Sequence, residues 1–440
     1  MKIADHGVAD HVADHSIQLH ENQSPMIESS VLPSGMTLIT EVMPEVRSAS
    51  IGFWVGTGSR DESPVEAGIS HFLEHLLFKG TPTRSARSIA EDTDAVGGDM
   101  NAYTTKEYTT FYMRLLGENL DLGLDILSDI MWNPALRQEE VDAERQVILE
   151  EVLMHLDEPA DVVYERFSEA VFADHPLGRE VLGLPDVITS VSVEEIRAFC
   201  EHHYRPGNII VAAAGDVDHE RLAKGLEDRF SGSLGGSSPD RIAPGETVSR
   251  IDVARRETEQ AHVVFGMRAP SRLDPDRYAL AVLNHVLGGG LSSRLFQKVR
   301  EERGLCYSIG SERVAYADAG LLSVSVGSSP DHVDQVLAIV KGEFADLADN
   351  GITERELDLA KGHVKADTLL SLEDSGARMS RLGAGMLLQG EVHTPEEAIR
   401  RVMEVTREDV ARVCAEVLSR PRVLSVVGPF DHEDFAGFLD

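Results

Sequence analysis

The chain has 440 residues, 42% hydrophobic and 26% charged, enough for two or more domains with ordinary cores, and this composition excludes a disordered or collagen-like protein. Its 75 acidic against 41 basic residues give a formal net charge of -34, which repels nucleic acid and anionic lipid and favours basic partners. Cys200, Cys306 and Cys414 are too widely spaced for a disulfide framework, so a reducing, cytoplasmic setting is expected.

Residues 1–25 are acidic and polar and carry His6, His11, His15 and His20. They contain no signal-length apolar core and no Arg-rich presequence, and read as a disordered tail in preference to a weak metal site. Ala49–Val55 alternates as a strand does, with a turn at Gly56–Arg60. A helix is expected next: Ser63-Pro64-Val65-Glu66 supplies a cap, a first-turn Pro and a Glu three residues on, and Gly80 marks the end. Inside it lies His71-Phe72-Leu73-Glu74-His75. Side chains four apart share a helix face, so His71 and His75 can present two imidazoles to one ion, with Glu74 beside them as a base for water. Chance would produce this H-x-x-E-H pattern in about one such chain in twenty, so its context matters.

A second helix, Gln138–His155, carries Glu144 and Glu151 two turns apart, with Val147, Ile148 and Val152 expected to supply apolar contact and Glu139, Glu140 and Glu150 a solvated face. The residues alone do not choose between ligand and surface for Glu151. Ile209–Ala214 is an apolar run of strand length, far short of a membrane span. Ser231–Glu246 has the Gly, Ser and Pro content of a flexible linker.

The chain also repeats itself. Val191–Glu220 matches Val405–Glu433, pairing Cys200 with Cys414, and Leu136–Glu151 matches Ile352–Asp367 at an offset of 216 (367 − 151). Each repeated end reads as an amphipathic helix, a Pro turn and a buried strand. The expected plan is a metal-binding half over 26–230, a linker over 231–247 and a homologous half over 248–440. The second half lacks the chemistry: only His285 survives, Ala360 stands opposite Glu144, and Asp367 opposite Glu151. Gly288-Gly289-Gly290 is no phosphate loop, since no P-loop Lys-Ser/Thr follows.

These motifs resemble the inverzincin peptidases of the insulinase, pitrilysin and mitochondrial processing peptidase group, of the single-chain bacterial type, where H-x-x-E-H is followed roughly 75 residues later by a Glu ligand. Here Glu151 follows His75 by 76 residues (151 − 75), within a matching Glu144-Arg145-x-Val147-Ile148-x-x-Glu151 segment. The resemblance implies one zinc ion per chain on His71, His75 and Glu151, Glu74 as general base, and Glu144 as a supporting carboxylate, with Glu150 the fallback ligand. It further implies a substrate-binding edge strand at Asn101, Ala102 and Tyr103, a positional role for His175, and an Arg300–Tyr307 pair that holds substrate main chain and stabilises an oxyanion. Asp161 and Glu165 fall where processing peptidases read a basic residue.

The implied fold is α+β: two tandem homologous domains, each a mainly antiparallel sheet with helices on one face, closing as a clam-shell. The implied protein is a metalloendopeptidase acting on peptides or unfolded segments, and a homodimer, with neither nucleic acid nor membrane as partner. The alternatives are an inert structural or partner subunit of the same fold, against which the complete motif set argues, and a metallohydrolase of small amides, which the edge strand disfavours.

Overall fold

The computed structural model describes residues 27–439, so the expected tail over 1–25 lies outside the described residues. The first half builds one sheet from β1 (Ile27–Val31), β2 (Thr37–Val42), β3 (Ser48–Val55), β4 (Asp99–Thr104), β5 (Thr109–Leu116) and β6 (Ile209–Gly215). The second builds another from β7 (Arg250–Arg255), β8 (Ala261–Ala269), β9 (Cys306–Ala315), β10 (Gly320–Ser328) and β11 (Arg422–Gly428). The strand orders are β1-β2-β6-β3-β5-β4 and β7-β11-β8-β10-β9. Exchanging β2, β6, β3, β5 and β4 for β7, β11, β8, β10 and β9 converts the first, without its edge strand β1, into the second. β2–β6 and β7–β11 are parallel, and the other described pairs are antiparallel. The duplication is therefore topological, and the two-domain α+β plan holds.

Helices cover both faces of each sheet, where one was expected. β3 is buried along almost its whole length: Phe53 faces the helices of its own half, while Trp54 faces a helix from the other half. That helix, Ser375–Gln389, sets Met379 and Leu382 against Trp54, Ile39, Ala212 and Ala214. Gly383 permits the approach, since a Cβ there would come within 2.4 Å of the Trp54 ring. Helix Pro159–Val171 returns the exchange, packing Val163 and Phe167 on Val264, Leu321 and Val423 of the second sheet. Burying Met379, Leu382, Val163 and Phe167 contributes about 1.5–3 kcal/mol each. Ion pairs pin both helices: Arg378 and Arg381 meet the fully buried Glu41 of β2 at 2.5 and 2.7 Å, and Arg166 meets Asp252 of β7 at 2.5 Å.

The Gly/Ser/Pro segment lacks regular structure but is anchored, contrary to the flexibility its composition suggests. Arg241 pairs with Asp61 at 2.8 Å, the Ile242 carbonyl accepts from Arg60, and Thr247 donates to the Val171 carbonyl. His175 also reaches the Ile242 carbonyl, at 2.9 Å.

Beside this segment Glu107, 2% exposed, accepts from Arg60 of its own half at 2.8 Å and from Arg272 of the second half at 2.8 Å. The Ala317 N–H also donates to it, and Arg60 continues to Asp318. Among the described residues no helix is long and apolar enough to cross a membrane.

Removing one partner of a buried, multiply bonded ion pair strands the others, so Glu107→Ala should lower unfolding free energy by about 3–5 kcal/mol in urea titration. Glu91→Ala, which breaks the exposed Arg87–Glu91 pair, should change it by less than about 0.5 kcal/mol.

Candidate metal centre

The histidine helix spans Ile69–Leu77 and starts five residues later than the Ser63 cap suggests. Ser63 and Glu66 do bond to each other at 2.6 Å, but they close a separate turn. Gly68, at φ +104°, then reverses the chain against Gly183, leaving no room for a Cβ. Buried Glu62 accepts the N–H groups of Gly68 and Ser70 at 2.8 and 2.7 Å and thereby caps the helix. Burial raises its carboxyl to about 7 despite those two donors. The helix ends at Leu77, and Gly80 marks the turn beyond.

His71 and His75 lie on one face with ring centroids 4.6 Å apart. The second helix, Gln138–Asp157, packs alongside and delivers Glu151, whose Oε2 lies 3.6 Å from Nε2 of each histidine. These three residues form a group whose ligand atoms lie within 4.8 Å of one another. Tetrahedral zinc with bonds of about 2.0–2.2 Å requires ligand atoms spaced at roughly 3.4 Å, so the donor set fits that ion. Burial, then the neighbouring His75, lowers His71 to about 4, keeping it neutral and able to donate a lone pair at neutral pH.

Glu144 is the supporting carboxylate that the resemblance implies. It lies 2.8 Å from His75 Nδ1 and 2.5 Å from Lys79 Nζ, and does not join the ligand group. By accepting the Nδ1 proton it leaves Nε2 of His75 facing Glu151. Burial opposes the His75 cation, but the Glu144 hydrogen bond and the Glu144, Glu151 and Glu74 charges outweigh it and raise His75 above its ordinary value. Burial disfavours the Glu144 anion too, yet His75 and Lys79 prevail and hold it low.

Glu74 stands one residue before His75 and accepts from Thr104 Oγ1 at 2.6 Å. Burial outweighs this bond and raises its carboxyl above the ordinary value. Thr104 ends β4, the outermost strand of its sheet, so Asn101, Ala102 and Tyr103 lie on an edge beside the centre. Lys79, which nothing local marks, escaped the sequence reading, whereas Thr104 is the last residue of the edge-strand motif Asn101-Ala102-Tyr103-Thr104. Glu150 points to solvent and is not needed as a ligand. Val147 is 50% exposed, so the apolar stripe of its helix is Val141, Ile148 and Val152.

Other candidates lie apart. Glu165 bonds His155 at 3.1 Å while Asp161 is exposed, and neither joins the ligand group. Arg300 covers the Tyr307 ring at 5.2 Å, joining this pair to each other, but no described contact links it to the metal ligands, and Tyr307 is 79% exposed. At the place in the second half equivalent to the centre, His285 only stacks on His363 at 4.2 Å, and no ligand group forms among the described residues.

A family model for the insulinase peptidases, family M16, matches residues 37–184, and one for the M16 inactive domain matches 190–363. An uncharacterized zinc protease of Streptomyces coelicolor is 43% identical over 92% of this chain and 90% of its own. The chain belongs to the M16 family. A Bacillus subtilis relative, also described as an uncharacterized zinc protease, is 36% identical over 92% of this chain and 98% of its own. In fold, a Helicobacter pylori protease superposes with TM-score 0.87 at 24% identity, covering 92% of this chain and 100% of that one. An M16 inactive domain from Pseudomonas fluorescens gives 0.86 at 20%, covering 92% and 98%. This M16 chain thus shares the clam-shell fold of its structural neighbours and belongs among proteins described as zinc proteases.

Because Glu144 acts through His75, Glu144→Gln should weaken zinc binding by about 10–100-fold, read by competition with a chromophoric chelator, with the fold retained by circular dichroism.

Proposed function

We propose that this M16 chain is a zinc metalloendopeptidase that cuts peptides and unfolded polypeptide segments, holding one ion per chain on His71, His75 and Glu151. The observation that carries this reading is the convergence of those three ligand atoms beside Glu74, on a helix that adjoins an open sheet edge. Zinc bound there would supply Lewis-acid polarisation of a carbonyl and a more acidic water. The chain's own residues do the rest. β4 receives the substrate as an added strand through main-chain hydrogen bonds, with Asn101, Ala102 and Tyr103 along it. Glu74, steadied by Thr104, takes the proton of the attacking water and hands it to the leaving amine. Arg300 holds substrate main chain, and the Tyr307 hydroxyl donates to the developing oxyanion.

Tyr307 is exposed and out of contact with the ligands, so it reaches the centre by closure or from a second copy; a homodimer is our reading. Basic peptides suit the net charge of -34 and the exposed Asp161, while Glu165 is already engaged by His155. Three unpaired cysteines fit a cytoplasmic setting.

The deciding measurement is cleavage of quenched peptides, matched in length with and without Arg, by the purified protein. Cleavage should be lost with chelator, return with zinc, favour the Arg peptides, and fall by about 10²–10⁴-fold in Glu74→Gln with its metal still bound. Metal-loaded wild type that cuts nothing would move the inert-subunit reading ahead. Mixing Glu74→Gln with Tyr307→Phe, each inactive alone, should restore activity at about a quarter of the sites if a second copy supplies the tyrosine. No restoration would leave closure within one chain.

A further inference from the structure

Far from the metal ligands in sequence, a cavity of about 520 Å³ opens between β9, helix Arg277–Leu287 and the crossing helix Ser375–Gln389. Four arginines line it, Arg272, Arg277, Arg313 and Arg381, against one carboxylate, Glu391. Two of the four are spoken for, each as an arm of an ion pair joining the halves: Arg272 on Glu107 and Arg381 on Glu41. The other two are not. Arg277 donates to the Arg272 carbonyl and the Tyr278 hydroxyl, and among the described residues Arg313 has neither a hydrogen-bond nor an ion-pair partner. Glu391 lies 3.4 Å from His393, another residue of the lining, and pairs with neither arginine.

In a chain with 75 acidic and 41 basic residues, two neighbouring arginines that no described carboxylate meets are not explained by a shortage of carboxylates. Arg277 also stacks on the Tyr278 ring at 4.8 Å, while Arg313 is exposed on β9 and so open to an anion arriving from solvent. Desolvation, and next the Arg277 charge, hold Arg313 below the ordinary guanidinium range. The charge of an arriving anion would offset both effects, and guanidinium forks bind carboxylate and phosphate through paired N–H donors. Another part of the wall is apolar, formed by Ala281, Val364, Ala384, Leu388, Val392 and Val402. A bare inorganic anion would leave that wall empty, and an uncharged apolar molecule would leave the arginines unanswered.

We propose that this cavity binds a small amphipathic organic anion, its carboxylate or phosphate against Arg277 and Arg313 and its apolar body against Ala384, Leu388 and Val402. Because Arg272 and Arg381 anchor the two sheets to this cavity's walls, such a ligand would sit where both inter-half ion-pair systems meet.

The test is calorimetric titration of the full-length, zinc-loaded protein in Tris chloride with octanoate, octyl phosphate, octanol and inorganic phosphate. One octanoate or octyl phosphate per chain should bind at least tenfold more tightly than octanol or phosphate, and the better of the two identifies the head group. Arg313→Gln should weaken that binding at least tenfold. In the absence of ligand the same variant should melt no lower than wild type, whereas an arginine kept for structure would lower the melting temperature on removal. Ala384→Leu, which fills the apolar side, should weaken octanoate and leave inorganic phosphate unchanged. Equal binding of octanol, no saturable binding of either amphiphile, or unaltered affinity in Arg313→Gln would each overturn the proposal.

Discussion

The arrangement depends on a carboxylate with almost no access to water. Glu107 is worth burying only because Arg60, Arg272 and the Ala317 N–H converge on it, and those donors belong to different halves of the chain. A buried ion pair of this kind is weak evidence for net stability and strong evidence for a fixed geometry, because any slippage leaves an unpaired charge. Its turn between β4 and β5 follows directly from Thr104, which touches Glu74. The register that joins the halves and the register that holds the Glu74 carboxylate are thus set within a few residues of each other.

Exchange of helices makes the same point in apolar terms. Trp54, Ala212 and Ala214 are buried only because Met379 and Leu382 arrive from the far end of the chain. The inactive-domain family model, running from 190 to 363, begins before the linker and so takes in the last strand of the first sheet. A boundary drawn at the linker describes the connectivity well and the cores poorly.

Much of the centre was legible because it is local. Four-residue spacing places His71 beside His75 whatever surrounds them, and a two-turn separation puts Glu144 and Glu151 on one side of their helix. What could not be read were features that depend on distant chain. The true helix cap, Glu62, is buried by packing, so the more conspicuous Ser63–Glu66 pattern misplaced the helix start. The resemblance implied helices on one face of each sheet, whereas a crossing helix covers the second face of β3 as well, and Val147 was assigned to a core its rotation about the helix axis denies it. Arg300 and Tyr307 were recognisable as a pair, and the structure does join them, but their distance from the ligands is a matter of domain placement, which no local pattern encodes.

The reciprocal helices also bear on how such a chain arises. Two equivalent sheets that trade equivalent helices have the geometry of a domain-swapped dimer. A single half, standing alone, would leave one sheet face bare, and two copies of it would cover each other as the two halves do here. The Gly/Ser/Pro segment converts that dimer into one polypeptide, and covalent linkage then frees one copy from having to keep a metal site. Loss of the second H-x-x-E-H set, with Ala360 fully buried opposite Glu144, is the asymmetry that fusion permits and a dimer of identical halves would not.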